Sequence, residues 1–451
     1  MRSIKYNFIY GIFAMLAFVS ASFSQTQTNI VNLADQSKAV TEFDVNGLKV
    51  IVKRRPSAPT VALGLFVRGG SQNLTEKNQG IEGLMLRSSV EAGTKYDRTA
   101  IRRELAATGS SIVAGASADY SVVSLASTRD NFDRTWDMFA DVMLKPRLAK
   151  ADIDRVRDQT IAGLREAETN PDSALQTLEE KVIYKGHPYA NESNGTIASL
   201  SALTPADLIA YRKKIMQTSR LLLVVVGDID PDVMKKYVAA TLGKLPRGNY
   251  EPTPLPALDF SKPTLDIVPR SIQTNYIKGI FAAPSLNDPD YFAMRVTTTF
   301  LQQMVYEEVR SKRQLSYAPN AELNNLAANT GNIYVTAVEA NQAVSVMLDQ
   351  IRSLQNTPPS SEMIEGLAGQ YLTQYYLEQE TNAAQAAELA RYELIGGGWK
   401  NSFDFLNRIQ KVTPADIQRV SKKYMKNLRF VVIGDPNAID RSIFLQGTDK
   451  P

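Results

Sequence analysis

The chain has 451 residues, of which 44% are hydrophobic and 22% charged, with a formal net charge of +4. That balance is ordinary for a globular chain of two or three domains and too weakly basic to argue for a nucleic-acid partner. It contains no cysteine and a single histidine, His187, which excludes disulfides, thiolate metal sites and a cysteine nucleophile.

Residues 1–24 read as a signal peptide. Arg2 and Lys5 form a positive start, FIYGIFAMLAFVSA is an apolar run short of a membrane span, and Ser22 and Ser24 are small residues before Gln25. The expectation is cleavage near Ser24/Gln25, export across the inner membrane to the periplasm, and no membrane span in the rest of the chain.

Beyond it, EFDVNGLKVIVKR alternates around Asn46-Gly47 and predicts a hairpin. TVALGLFVR (60–68) predicts a buried strand ended by Gly69-Gly70. Helices are expected over 80–90, 98–108, 131–143, 149–167 and 171–184, with paired strands over 111–126. Phe132, Trp136, Phe139 and Met143 recur at helical spacing. LLLVVV (221–226) predicts another buried strand. In the second half, strands are expected at 274–282 and 333–338, and helices at 291–310, 343–354 and 361–378, after a shorter starting hairpin.

The segment LTPADLIAYRKKIMQTSRLLLVVVGD (203–228) recurs as VTPADIQRVSKKYMKNLRFVVIGD (412–435). Thr204/Thr413, Pro205/Pro414, Asp207/Asp416, Lys213/Lys422 and Arg220/Arg429 keep one register. The tripeptide Glu168-Thr169-Asn170 is echoed by Glu380-Thr381-Asn382. Such repetition predicts a tandem duplication of one sheet-plus-helices unit, an α+β fold. The expected units are 35–247 and 264–442, joined by the proline-rich linker 248–263.

The ordered series FVRGGS, EAGTK, DYSVVSLAST, ETNPDSAL, GHPY and TPADL…VVVGD, followed by VRSKRQLSYAP, resembles the pitrilysin/insulinase family of zinc peptidases. The resemblance covers about 35–440 and implies the duplicated metallopeptidase-like fold. It also implies a helix carrying H-x-x-E-H, in which two histidines one turn apart hold zinc and the glutamate activates water. Here that helix reads GIEGLMLR, so Gly83 and Arg87 take the histidine positions and Leu86 the glutamate. The distal glutamate falls near Gly163. With one histidine in the chain, H-x-x-E-H cannot be built, and neither a bound metal nor another cofactor is expected.

The segment VRSKRQLSY resembles the family's second-domain motif R-E-x-R-G-L-x-Y. The resemblance gives Arg310 and Tyr317 the role of holding the substrate backbone, with Ser311 in place of an acidic residue and Gln314 in place of glycine. His187, in GHPY, reads as a structural histidine, and the pairs Glu179-Glu180 and Glu307-Glu308 as solvated helix faces. Bacterial members of the family often work as two chains, one with the zinc motif and one with the arginine-tyrosine pair. The implied role is therefore a secreted, non-catalytic subunit. It would pair with a zinc-bearing homologue to close a chamber around unstructured peptide. The competing class is a peptide-binding or scaffold protein of the cell envelope that acts alone.

Overall fold

A computed structural model describes residues 36–448 of the chain; the expected signal peptide lies outside them. The first half builds a six-stranded sheet from β1 (Val40–Val45), β2 (Leu48–Arg54), β3 (Thr60–Arg68), β4 (Ser111–Ala116), β5 (Tyr120–Thr128) and β6 (Leu221–Gly227), in the spatial order β1-β2-β6-β3-β5-β4. The second half builds a five-stranded sheet from β7 (Thr264–Pro269), β8 (Asn275–Ala282), β9 (Asn320–Leu323), β10 (Thr330–Ala337) and β11 (Arg429–Gly434), ordered β7-β11-β8-β10-β9.

The two orders superpose once β1 is removed. β6 runs parallel to β2 and antiparallel to β3, and β11 runs parallel to β7 and antiparallel to β8. The fold is thus the duplicated α+β architecture that the repeat implied. One expectation fails. The second half opens on the single strand β7, without a hairpin. Asn46 and Gly47 take positive φ (54° and 86°) to turn β1 into β2, and the linker 248–263 that leads into β7 contains no Asn-Gly.

The repeated TPAD motif acts through its caps. Thr204 Oγ1 accepts from the Asp207 N–H at 3.3 Å, and the Asp207 carboxylate accepts from the Thr204 N–H at 2.8 Å. Thr413 and Asp416 repeat the box at 3.2 and 3.1 Å. Both boxes satisfy amides that a helix start leaves orphaned, and proline at N1 has none to lose. Helices Pro205–Ile215 and Pro414–Tyr424 then lead into β6 and β11, the equivalent strands of the two sheets.

Each sheet buries one face under its own helices and the other under a helix of the opposite half. Leu389, Ala390, Trp399 and Phe403 of the second half pack on Ile51, Phe66, Leu222 and Val224 of the first sheet. Leu175 and Ile183 of the first half pack with Ile280, Val431 and Ile433 of the second sheet. The exchanged helices are Asn382–Ile395 and Pro171–Ile183, the two that follow the repeated Glu-Thr-Asn. Glu179 is a correction. Far from solvated, it is buried at this seam and pairs with Lys278 of β8 at 2.7 Å. Burial raises its pKa and the Lys278 charge opposes that rise.

The expected helix over 291–310 also changes character. It is α-helical over Tyr291–Val305 and widens to a π-turn over Tyr306–Ser311. Among the described residues, no helix is long and apolar enough to cross a membrane.

Candidate functional site

Helix Ile81–Ser89 starts at Gly80, whose φ of 79° is open to glycine at low cost. Ile81, Leu84, Met85 and Leu86 are buried in the core of the first half, which fixes the rotation of the helix. Leu86, at the expected water-activating position, is 1% exposed and points into that core.

Gly83 and Arg87 are brought together one turn apart, as positions i and i+4 require. The guanidinium of Arg87 folds back over Gly83, so a Cβ on Gly83 would stand 2.8 Å from Arg87 Nη2 and 3.2 Å from the Ser193 carbonyl. Arg87 Nη1 donates to Asn194 Oδ1 at 3.2 Å, while Nε and Nη2 are buried without a hydrogen bond. Burial lowers its pKa. Gly163 lies on a neighbouring helix. That helix, Lys150–Thr169, packs on Ile81–Ser89, and a Cβ on Gly163 would meet nothing within 4 Å.

These residues do not fit zinc. Gly83, Leu86 and Gly163 offer no donor atom, and Arg87 puts a cation in the space that a metal would share. Among the described residues, no group of three or more His, Cys, Asp and Glu side chains gathers to hold a metal ion. His187 is buried, and its Nδ1 accepts from the Tyr189 N–H at 3.1 Å.

Two carboxyls near this helix escaped the sequence reading. Glu82 is 1% exposed and accepts from Tyr211 Oη at 2.6 Å and Asn73 Nδ2 at 3.1 Å. Burial raises its pKa, against those hydrogen bonds and the field of Arg220. A lone glutamate among apolar helix residues was its only signal. Glu192 precedes Ser193, whose carbonyl faces Gly83, and Asn194, whose side chain accepts from Arg87; burial, then the field of Glu180, pushes its pKa up to about 7.

In the second half, Arg310 and Tyr317 do come together. Arg310 Nη1 donates to the Tyr317 carbonyl at 2.9 Å. Its guanidinium carbon lies 4.0 Å from the Tyr317 ring centroid and 5.1 Å from that of Tyr306, a double cation–π arrangement. The Tyr317 side chain is 79% exposed. The π-turn and Gln314, with φ of 54°, bend the chain back so that the two residues meet. Gln314 thus adopts the left-handed conformation that the resemblance assigns to glycine. Lys312 and Arg313 are both held by Glu308. Among the described residues, no hydrogen bond, ion pair or ring contact joins Arg310 or Tyr317 to Arg87.

Comparison with known proteins adds the family. Residues 49–196 match the model described as insulinase (peptidase family M16), and residues 202–370 match the one described as peptidase M16 inactive domain. An uncharacterized zinc protease of Mycobacterium tuberculosis is 21% identical over 416 residues, covering 88% of this chain and 93% of that protein. The mitochondrial-processing peptidase subunit beta of Saccharomyces cerevisiae is 24% identical over 257 residues, covering 56% of this chain; the match spans about half (55%) of that relative. Among solved structures, a peptidase M16 inactive domain from Pseudomonas fluorescens shares the fold with a TM-score of 0.81 at 20% identity, over 88% of this chain and 98% of that one. A protease from Helicobacter pylori does so with a TM-score of 0.80 at 14% identity, over 88% and 99%. The two family matches follow one another in order and together take in most of the duplicated fold, so the chain belongs to the insulinase (peptidase M16) family.

Proposed function

We propose that this chain is an exported, non-catalytic subunit of an insulinase-family peptidase. It pairs with a zinc-bearing homologue and contributes peptide binding. The observation that carries the reading is the donor set of the helix that bears zinc ligands in the family. Gly83, Leu86 and Arg87 stand there, and Arg87 covers Gly83. The retained pair Arg310 and Tyr317 supports the binding role. A relative carrying the word subunit in its name, the mitochondrial-processing peptidase subunit beta, makes pairing a natural reading.

On this reading each residue has a distinct task. Tyr306 and Tyr317 fix the plane of the Arg310 guanidinium, leaving its other N–H groups to donate to a peptide carbonyl. The exposed Tyr317 hydroxyl donates to charge that develops on the scissile carbonyl oxygen at the partner's metal. Neither step requires a metal on this chain.

The test is co-purification with a family member that carries H-x-x-E-H, followed by cleavage of a quenched, unstructured peptide. A stable pair whose cleavage falls with Arg310→Ala or Tyr317→Phe supports the reading. Failure to pair with any such homologue, with peptide binding intact, favours the chain acting alone.

A further inference from the structure

A cavity of about 460 Å³ opens where the two halves meet beneath the proline-rich linker. The end of β3 contributes Arg68, the β4–β5 turn Asp119, the linker Tyr250 and Leu255, and the second half Asn287 and Leu394. The linker is tied over it by Gln72 Nε2, which donates to the Thr253 carbonyl at 3.1 Å. The volume falls within the range of small-molecule pockets, and a seam between domains is a common place for one.

Its charges are unequally used. The Asp119 carboxylate accepts from the Tyr189 hydroxyl and from the Ala327 N–H at 3.2 Å, so it already bridges the halves. Arg68 is different. Among the described residues its guanidinium has no carboxylate within ion-pair distance and no side-chain hydrogen bond. The carboxylate whose field reaches it, Glu393, is held by Lys49 at 2.8 Å and by the Trp399 N–H at 3.2 Å. Burial lowers the Arg68 pKa, against the fields of Glu393 and Tyr250. A part-buried cation with no counter-charge beside it costs free energy that an anion entering the cavity would recover.

We propose that this cavity binds a small organic anion, one carboxylate on an apolar body, with Arg68 as its anchor. The guanidinium fork matches a single carboxylate bidentately. A phosphate dianion fits less well, because among the described residues Arg68 is the only cation lining the cavity, and Asp119 lines it too. Pro252, Pro254, Leu255 and Leu394 supply the apolar contact. Since both halves and the linker line the cavity, an occupant bridges them. The proposal is independent of the partner-subunit reading.

The test uses the purified chain with N-acetyl-leucine, N-acetyl-phenylalanine, their amides, and inorganic phosphate, followed by calorimetry and thermal melting. The acids are expected to bind and raise the melting temperature, and the amides and phosphate to do neither. Arg68→Met is expected to weaken acid binding at least ~10-fold without lowering the melting temperature of the free chain. Should that variant misfold, Leu255→Trp fills the cavity from the linker side with the guanidinium untouched, and is expected to abolish acid binding. Equal binding of acids and amides, binding of phosphate alone, no binding of either acid, or acid binding that survives both substitutions would overturn the proposal.

Discussion

The Arg87 guanidinium lies over Gly83, filling the space between two positions that face one another across a helical turn. A cation there opposes a metal, and among the described residues no group of three or more His, Cys, Asp and Glu side chains gathers to hold one. The purified chain is therefore expected to hold no stoichiometric zinc after loading and dialysis. Gly83→His alone should not change that, because Leu86 and Arg87 still donate nothing to a metal. Elemental analysis of both proteins checks it.

Gln314 holds a left-handed conformation at φ 54° in the turn that returns Tyr317 to Arg310. A side chain there costs about 1–2 kcal/mol relative to a relaxed backbone. Glycine recovers most of it and returns part through a freer unfolded chain. Gln314→Gly is expected to stabilise the protein by about 0.5–1 kcal/mol in denaturant unfolding. Destabilisation would show that the Gln314 side chain makes a contact that outweighs the strain.

Asn382 is 5% exposed and reaches from the exchanged helix to the first sheet. Its Nδ2 donates to the Thr60 carbonyl at 2.7 Å and its Oδ1 accepts from Arg55. Asn382→Ala leaves those partners without it and is expected to cost about 1–3 kcal/mol. Asn170, its echo, instead caps its own helix by accepting from the Asp172 and Ser173 amides. Asn170→Ala is expected to cost about 1 kcal/mol. Urea melts of the two variants distinguish the clamp from the cap.

The raised pKa of Glu192 makes a pH prediction. The unfolded residue titrates near 4.5 and the folded one at about 7. Between those values the folded chain holds the extra proton, so this group's stability contribution falls as pH rises through the window. Glu192→Gln removes that dependence. The variant is expected to gain about 1 kcal/mol on the wild type at about pH 8, discounted because the side chain is part-exposed, and nothing at about pH 4. Thermal melts across that range report it.

Much of this architecture was legible because its signals are local. Thr-Pro-x-Asp writes a capping box into four residues, and LLLVVV, fully buried in β6, could only be an internal strand. The pairing of Arg310 with Tyr317 was legible from a motif, though the π-turn that aims it was not, since its hydrophobic spacing continues the preceding helix. The exchange of helices was hidden. Glu179 looked solvated because its partner, Lys278, lies far along the chain and on the other half. The strand β9, with four residues, is too short to show a period. Glu192 acquires its raised pKa only from burial by the completed fold.

On the proposed function, this chain binds peptide for a metal held elsewhere. The direct measurement is cleavage of a quenched, unstructured peptide by this chain alone, by a zinc-bearing homologue alone, and by their equimolar mixture, each with and without chelator. This chain alone is expected to cleave nothing, and the mixture to show chelator-sensitive cleavage that exceeds the homologue alone. Tyr317→Phe or Arg310→Ala should reduce the mixture's rate ~10²–10³-fold while pairing persists. Chelator-sensitive cleavage by this chain alone, with one zinc bound per chain, would contradict it.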